Sequence, residues 1–139
     1  MRPEIRLKTS NRLWCDQLHE GVVMPNNQQV FYIGMQDQWF TFNMFDAQAW
    51  YARDVILGRI KLPDAATMAA EWSKWRAAEE AIAATDEANI RYQAEYTKRL
   101  IEQTDYKMFD IEGLYYYVIM SPVSPFIHVD YALTVSYRA

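Results

Sequence analysis

The stretch that decides the fold runs from Phe31 to Arg59 and reads FYIGMQDQWFTFNMFDAQAWYARDVILGR. With Val30 before it, Val30–Met35 is a short apolar run rich in β-branched and aromatic residues. Asn26-Asn27 supplies a turn signal just upstream. This pattern predicts a buried strand, with Val22-Val23-Met24 as a shorter one ended by Pro25. Asn43 has N-cap chemistry, Asp46 suits the first turn, and Met44, Ala47, Tyr51 and Val55 recur at helical spacing. Gly58 fits the position just past the end, so a helix is expected over Met44–Leu57. Between strand and helix lies a compact polar corner, Gln36-Asp37-Gln38-Trp39. Ligands of α/β sheets sit at the carboxyl ends of strands, where such corners occur.

Downstream, Pro63-Asp64 opens a second helix with Met68, Trp72, Trp75 and Ile82 on one face. Thr85-Asp86 interrupts it with capping chemistry. A third helix is expected over Glu87–Gln103, with Ile90, Ala94, Thr97 and Ile101 as its stripe and Tyr96 and Leu100 beside it. Past Asp105 the helical pattern stops, and prolines punctuate an aromatic, β-branched tail. Mainly α with a small β component is the expected class.

Composition supports a folded chain: of 139 residues, 51% are apolar and 15% aromatic. Fourteen basic and 18 acidic residues give a net charge of −4 with no basic stripe, which argues against nucleic acid. The one cysteine, Cys15, excludes a disulfide framework and has no nearby base to make it a nucleophile. Met1–Ser10 lacks an apolar signal-peptide core. The most apolar stretch, Leu114–Ile127, is too short to span a bilayer and is broken by Pro122 and Pro125. A soluble, cytoplasmic protein is the expectation.

The residues Tyr32–Gly58, together with Leu7-Lys8-Thr9-Ser10-Asn11-Arg12-Leu13 upstream and Leu62-Pro63 and Met68 downstream, closely resemble flavin-containing monooxygenases of the bacterial trimethylamine-oxygenating type. The likeness covers roughly Ile5 to Ile111. It implies the C-terminal fragment of an α/β flavoenzyme with two dinucleotide-binding domains. Residues 1–43 would be the end of the FAD-binding domain, 44–111 a helical C-terminal region, and 112–139 a divergent tail. The implied cofactors are FAD and NADPH, and the implied substrates are a small methylated amine and O2. A homodimer or a missing N-terminal chain is the implied protein partner, with no nucleic acid and no membrane.

By the same resemblance, Asp37 is an active-site acid near flavin and nicotinamide, and Trp39 lines the amine pocket, where an indole face attracts a methylated ammonium. Gln36 and Gln38 are cofactor-binding, Gln38 hydrogen-bonding the flavin ring, and Thr41 contacts NADP. A helix N-terminus at the corner would favour the negative charge of a reduced flavin. Read without the resemblance, Gln36-Asp37-Gln38 is a polar turn and helix entry, and the neighbouring aromatics are core.

The sequence departs from the family in two ways. Its four glycines, Gly21, Gly34, Gly58 and Gly113, form no G-x-G-x-x-G turn, so this chain by itself is expected to be inactive. After Ile111 the family's basic segment, which supplies an arginine near the NADP phosphate, is replaced by an apolar tail in which Arg138 is the loose candidate. A truncation, a frameshift product and a split subunit are the readings this raises, beside a non-enzymatic helical interaction module. No metal site is expected. His19 and His128 lack ligand-spaced partners and read as structural or solvated. Glu79-Glu80 and Asp86-Glu87 read as a solvated helix face.

Overall fold

The computed structural model describes residues 13–14, 17–108 and 110–113. Cys15, His128, Arg138 and nearly all of the divergent tail lie outside the described residues. Three helices follow one another: α1 (Thr41–Ile56), α2 (Ala65–Ala81) and α3 (Asp86–Glu102). The expected helical class is therefore observed, while the expected strands are not regular strands. Among the described residues, the chain before α1 carries only isolated bridges, His19 to Val23 and Val23 to Phe31, both antiparallel.

The physical reason lies in the residues that punctuate the segment. Gln17, Glu20, Gly21 and Gly34 all adopt positive φ, and Gly34 (φ 72°) turns the chain in the middle of the Val30–Met35 run. Short hydrogen bonds still tie the loop together: Met24 N–H to the Val30 carbonyl at 3.0 Å and Tyr32 N–H to the Val22 carbonyl at 2.8 Å. The run is not uniformly buried either. Val22, Val23 and Met24 are buried, but Ile33 is 42% exposed.

Helix α1 begins a turn earlier than its composition suggests. Phe40 is its N-cap, without a side-chain cap, and Asn43 lies inside the first turn, where its N–H reaches the Phe40 carbonyl at 2.9 Å. Asp46 consequently falls beyond the first turn. The other end follows the expectation: Gly58 (φ 69°) stands just past the helix, its N–H bonded to the Val55 carbonyl and that of Arg59 to the Asp54 carbonyl. This pair of bonds is the Schellman motif, which satisfies the last carbonyls.

Helices α2 and α3 start as their caps dictate. Asp64 accepts from Thr67 N–H at 2.8 Å, and Thr85 accepts from Ala88 N–H at 3.3 Å. Helix α3 packs against α1. Its stripe, Ile90, Ala94, Thr97 and Ile101 with Tyr96 and Leu100, is buried as the spacing predicts. Met44, Ala47 and Tyr51 face it from α1. Trp75 on α2 stacks on Trp14 with centroids 5.0 Å apart and meets Tyr92 and Tyr96 edge-on, so it serves the core. Glu79, expected on a solvated face, accepts the N–H of Leu13 at 3.0 Å, whereas Glu80 pairs with Arg76 on the surface.

Candidate functional site

The chain between Gly34 and Phe40 is neither helix nor strand, and it is held from below by a network of neutral groups. Gln48, fully buried on α1, is its hub. Its Oε1 accepts the Gly34 N–H at 2.8 Å, and its Nε2 donates to Gln36 Oε1 at 2.8 Å and to Tyr96 Oη at 2.9 Å. Gln36 Nε2 also donates to Tyr96 Oη at 3.1 Å, and the phenol donates on to the Glu20 carbonyl at 2.8 Å. Gln36, 4% exposed, thus faces inward. Gly21 makes this possible, because a Cβ there would clash with Gln36 Nε2 and sit 2.9 Å from Tyr96 Oη.

A second buried amide completes the support. Gln93 on α3 accepts the Trp39 N–H at 2.6 Å through Oε1 and donates through Nε2 to the Asp37 carbonyl. One side chain therefore grips the backbone on both sides of Gln38 and fixes the course of the corner. Buried polar groups held this way confer rigidity, since breaking any bond strands a partner.

Above this floor, Asp37 is exposed and Gln38 and Trp39 are half-buried. The Asp37 carboxylate accepts the Gln38 N–H at 3.0 Å, and Gln38 Nε2 donates to the Gly34 carbonyl at 2.9 Å. Among the described residues, no donor reaches Gln38 Oε1. Trp39 leans on the core with one face. Thr41 opens α1, so the N-terminal turn of that helix follows directly on the corner. Asp37, Gln38 and Trp39 each keep some exposure, while Gln36 turns inward. Phe42, 52% exposed, and Ile33 present apolar surface beside them.

A second polar cluster lies on the far side of Tyr96. His19 and Glu20 are buried, and Glu71 reaches them from α2. His19 Nδ1 is 3.3 Å from Glu71 Oε2, off a hydrogen-bonding line, and His19 Nε2 lies 3.2 Å from Tyr51 Oη. Arg99 holds Glu20 Oε1 at 2.5 Å. Burial lowers the His19 pKa despite Glu71, and burial raises that of Glu20 against the pull of Arg99. His19, which sequence spacing left without a partner, acquires Glu71 only through the tertiary fold.

No family model matches the sequence. Trimethylamine monooxygenase of Roseovarius sp. (strain 217) is 56% identical over 110 residues, 79% of this chain and 24% of that protein. The Methylocella silvestris trimethylamine monooxygenase is 54% identical over 108 residues, again 24% of its length. The crystal structure of Tmm from Pelagibacter sp. strain HTCC7211 superposes with a TM-score of 0.80 at 42% identity, covering 84% of this chain and 26% of that one. The chain is homologous to part of the trimethylamine monooxygenase family.

It spans about a quarter of the length of the relatives it matches. Over 84% of its length the chain shares its fold with part of that Tmm structure. Sequence reasoning singled out the residues of the corner but missed Gln48, Gln93, Tyr96 and Gly21, which hold it. A glutamine at the centre of an apolar helical stripe, as at positions 48 and 93, is the signal that could have found them: burial obliges an amide to find partners.

Proposed function

We propose that this chain supplies the flavin-facing corner of an NADPH- and FAD-dependent monooxygenase that N-oxygenates small tertiary amines such as trimethylamine. Residues 1–43 are the end of its FAD-binding α/β domain, and 44–111 its helical C-terminal region. The observation that supports this reading is the grip of Gln93 on the backbone either side of Gln38, which fixes the course of the corner at the mouth of α1.

In that enzyme the free Gln38 oxygen accepts an N–H of the flavin ring, and the α1 N-terminus favours negative charge on the reduced ring. Asp37 orients the nicotinamide amide or the protonatable amine, and the Trp39 indole face lines the amine pocket. Thr41 contacts NADP. Gln36 belongs to the cofactor site by holding the corner from beneath. The cofactors supply hydride transfer and oxygen activation; the chain's residues bind, orient and exclude water. Activity requires the glycine-rich dinucleotide turns that these 139 residues do not contain.

A second reading, an interaction module or one half of a split flavoenzyme, is favoured by the exposed Ile33 and Phe42 near the start of α1 and Ile56 and Leu57 at its end, since exposed apolar surface invites a protein partner. A chimera tests the first reading: this chain replaces the matching quarter of the Roseovarius enzyme. Flavin retention with trimethylamine-dependent NADPH consumption is expected, and Trp39→Ala should reduce the latter with flavin still bound. A chimera that folds and holds flavin but never responds to trimethylamine would refute it. Yellow colour bound tightly by the 139-residue chain alone would refute its incompleteness, and colour only on adding a second chain would favour the split enzyme.

A further inference from the structure

We propose that His19, Glu20 and Glu71 form a binding site for one divalent transition-metal ion of the zinc class, clamping the turn before the corner onto α2. The three side chains each offer one ligand atom, and these atoms all lie within 4.8 Å of one another. The independent sign is burial without hydrogen bonds: His19 Nδ1, Glu20 Oε2 and Glu71 Oε2 are each buried with no hydrogen-bond partner, and Nδ1 faces Glu71 Oε2 at 3.3 Å. The His19 and Glu20 side chains are each only 3% exposed. Buried polar atoms without hydrogen bonds are costly, and a cation among the three side chains would satisfy them together.

The surroundings have the character of an outer shell. Metal-binding imidazoles and carboxylates are usually oriented through their other atoms. Here the second imidazole nitrogen meets Tyr51 Oη at 3.2 Å, and the second Glu20 oxygen is held by Arg99 at 2.5 Å. With Nδ1 as ligand, His19 Nε2 carries the proton and donates to the Tyr51 oxygen. One imidazole and two carboxylates suit zinc or cobalt better than magnesium or calcium, which favour all-oxygen sites. Ligands about 2 Å from a tetrahedral ion stand closer together than this triad, so Glu71 must close inward on binding. Its side chain, 37% exposed, has that freedom.

The clamp bears on the corner through one bond. Glu20 stands at φ 51°, a conformation rare for a side chain, and its carbonyl accepts the Tyr96 phenol that holds Gln36 and Gln48. Fixing the Glu20 side chain fixes that carbonyl.

The test uses the 139-residue chain, stripped with chelator and titrated with Zn2+ alone by calorimetry and with Co2+ alone by visible absorbance. One ion per chain, an intense tetrahedral cobalt spectrum and a raised melting temperature are expected. Glu71→Gln, on the half-exposed side, should abolish all three while keeping its helical circular dichroism, whereas Glu102→Gln on exposed α3 should change none. Tyr51→Phe should weaken binding by about tenfold. As a readout free of variants, 15N-histidine spectra should show the Nδ1 resonance of His19 shifting on Zn2+ addition. No saturable binding, equal binding by Glu71→Gln, or a shift at His128 instead would overturn the site and leave a plain His19–Glu71 contact.

Discussion

Gly21 and Gly58 have nearly the same backbone conformation, φ 66° and 69°, but opposite surroundings. Replacing either with alanine places a side chain in the left-handed region, at a cost of about 1–2 kcal/mol. At Gly58 that is the whole effect, since nothing lies within 4 Å of an added Cβ. At Gly21 the Cβ collides with Gln36 Nε2 and crowds Tyr96 Oη. The Gln36–Tyr96 bond must open, and stranding its buried partners adds about 1–3 kcal/mol. Gly21→Ala should therefore lose about 2–5 kcal/mol in total, a large part of the ~5–15 kcal/mol that holds a domain folded. Urea titration followed by tryptophan fluorescence, in chelator-containing buffer, measures both variants. Gly21→Ala should lower the midpoint well beyond Gly58→Ala, at unchanged slope. Equal losses within about 0.5 kcal/mol would show that the buried amide network does not constrain Gly21, and the account of the corner's floor would fail.

Other substitutions probe the remaining supports. Gln48→Leu strands the Gly34 N–H and takes one donor from each of Gln36 and Tyr96, so chemical denaturation should show a loss of about 2–4 kcal/mol. Asp64→Ala removes the α2 cap to Thr67 and should cost about 1 kcal/mol in thermal melts. Asp105 is held below its ordinary pKa of 3.8, chiefly by its hydrogen bond to Arg53. Its folded state therefore binds a proton less readily than its unfolded state, and its contribution is present above that value and fades as pH falls below it. Asp105→Asn should melt below the parent chain at neutral pH, and the gap should narrow in acid; a gap that widened there would contradict the pairing.

The legible parts of this protein were those governed by local rules. Asp64 and Thr85 announced their helices, Gly58 marked an end, and the α3 stripe gave its buried face, because caps and 3.6-residue periodicity act within a few neighbours. The start of α1 was misread because Asn43 has the better capping side chain, yet Gln93, 54 residues away, fixes Trp39 and lets the helix begin at Thr41. The strands were misread because β-propensity describes residues that fit a sheet but supplies no neighbour, and Val23 finds only bridges. Likewise Gln36 read as a ligand-facing polar residue, when α1 and α3 together turn it into the floor. His19 and Glu71 are 52 positions apart in sequence, and no spacing rule could have joined them.

That floor is built from amides and a phenol, and the choice has a physical consequence. A carboxylate at position 36, 48 or 93 would carry a desolvation penalty and a charge whose presence varied with pH, and it would add a field beneath the corner. Glutamine and tyrosine satisfy the same buried backbone groups while staying neutral across the physiological range. Of the charged groups, Asp37 stands exposed above the floor, and the His19–Glu20–Glu71–Arg99 group is separated from Gln36 by the Tyr96 phenol. In the proposed flavin site this leaves the Gln38 hydrogen bond, Asp37 and the α1 N-terminus as the corner's own polar influences on a bound ring. Replacing Gln48 with Glu would break that separation, and the structure ties the consequence to Gln38: its backbone sits between the two atoms Gln93 holds, so the corner should shift before the helices do.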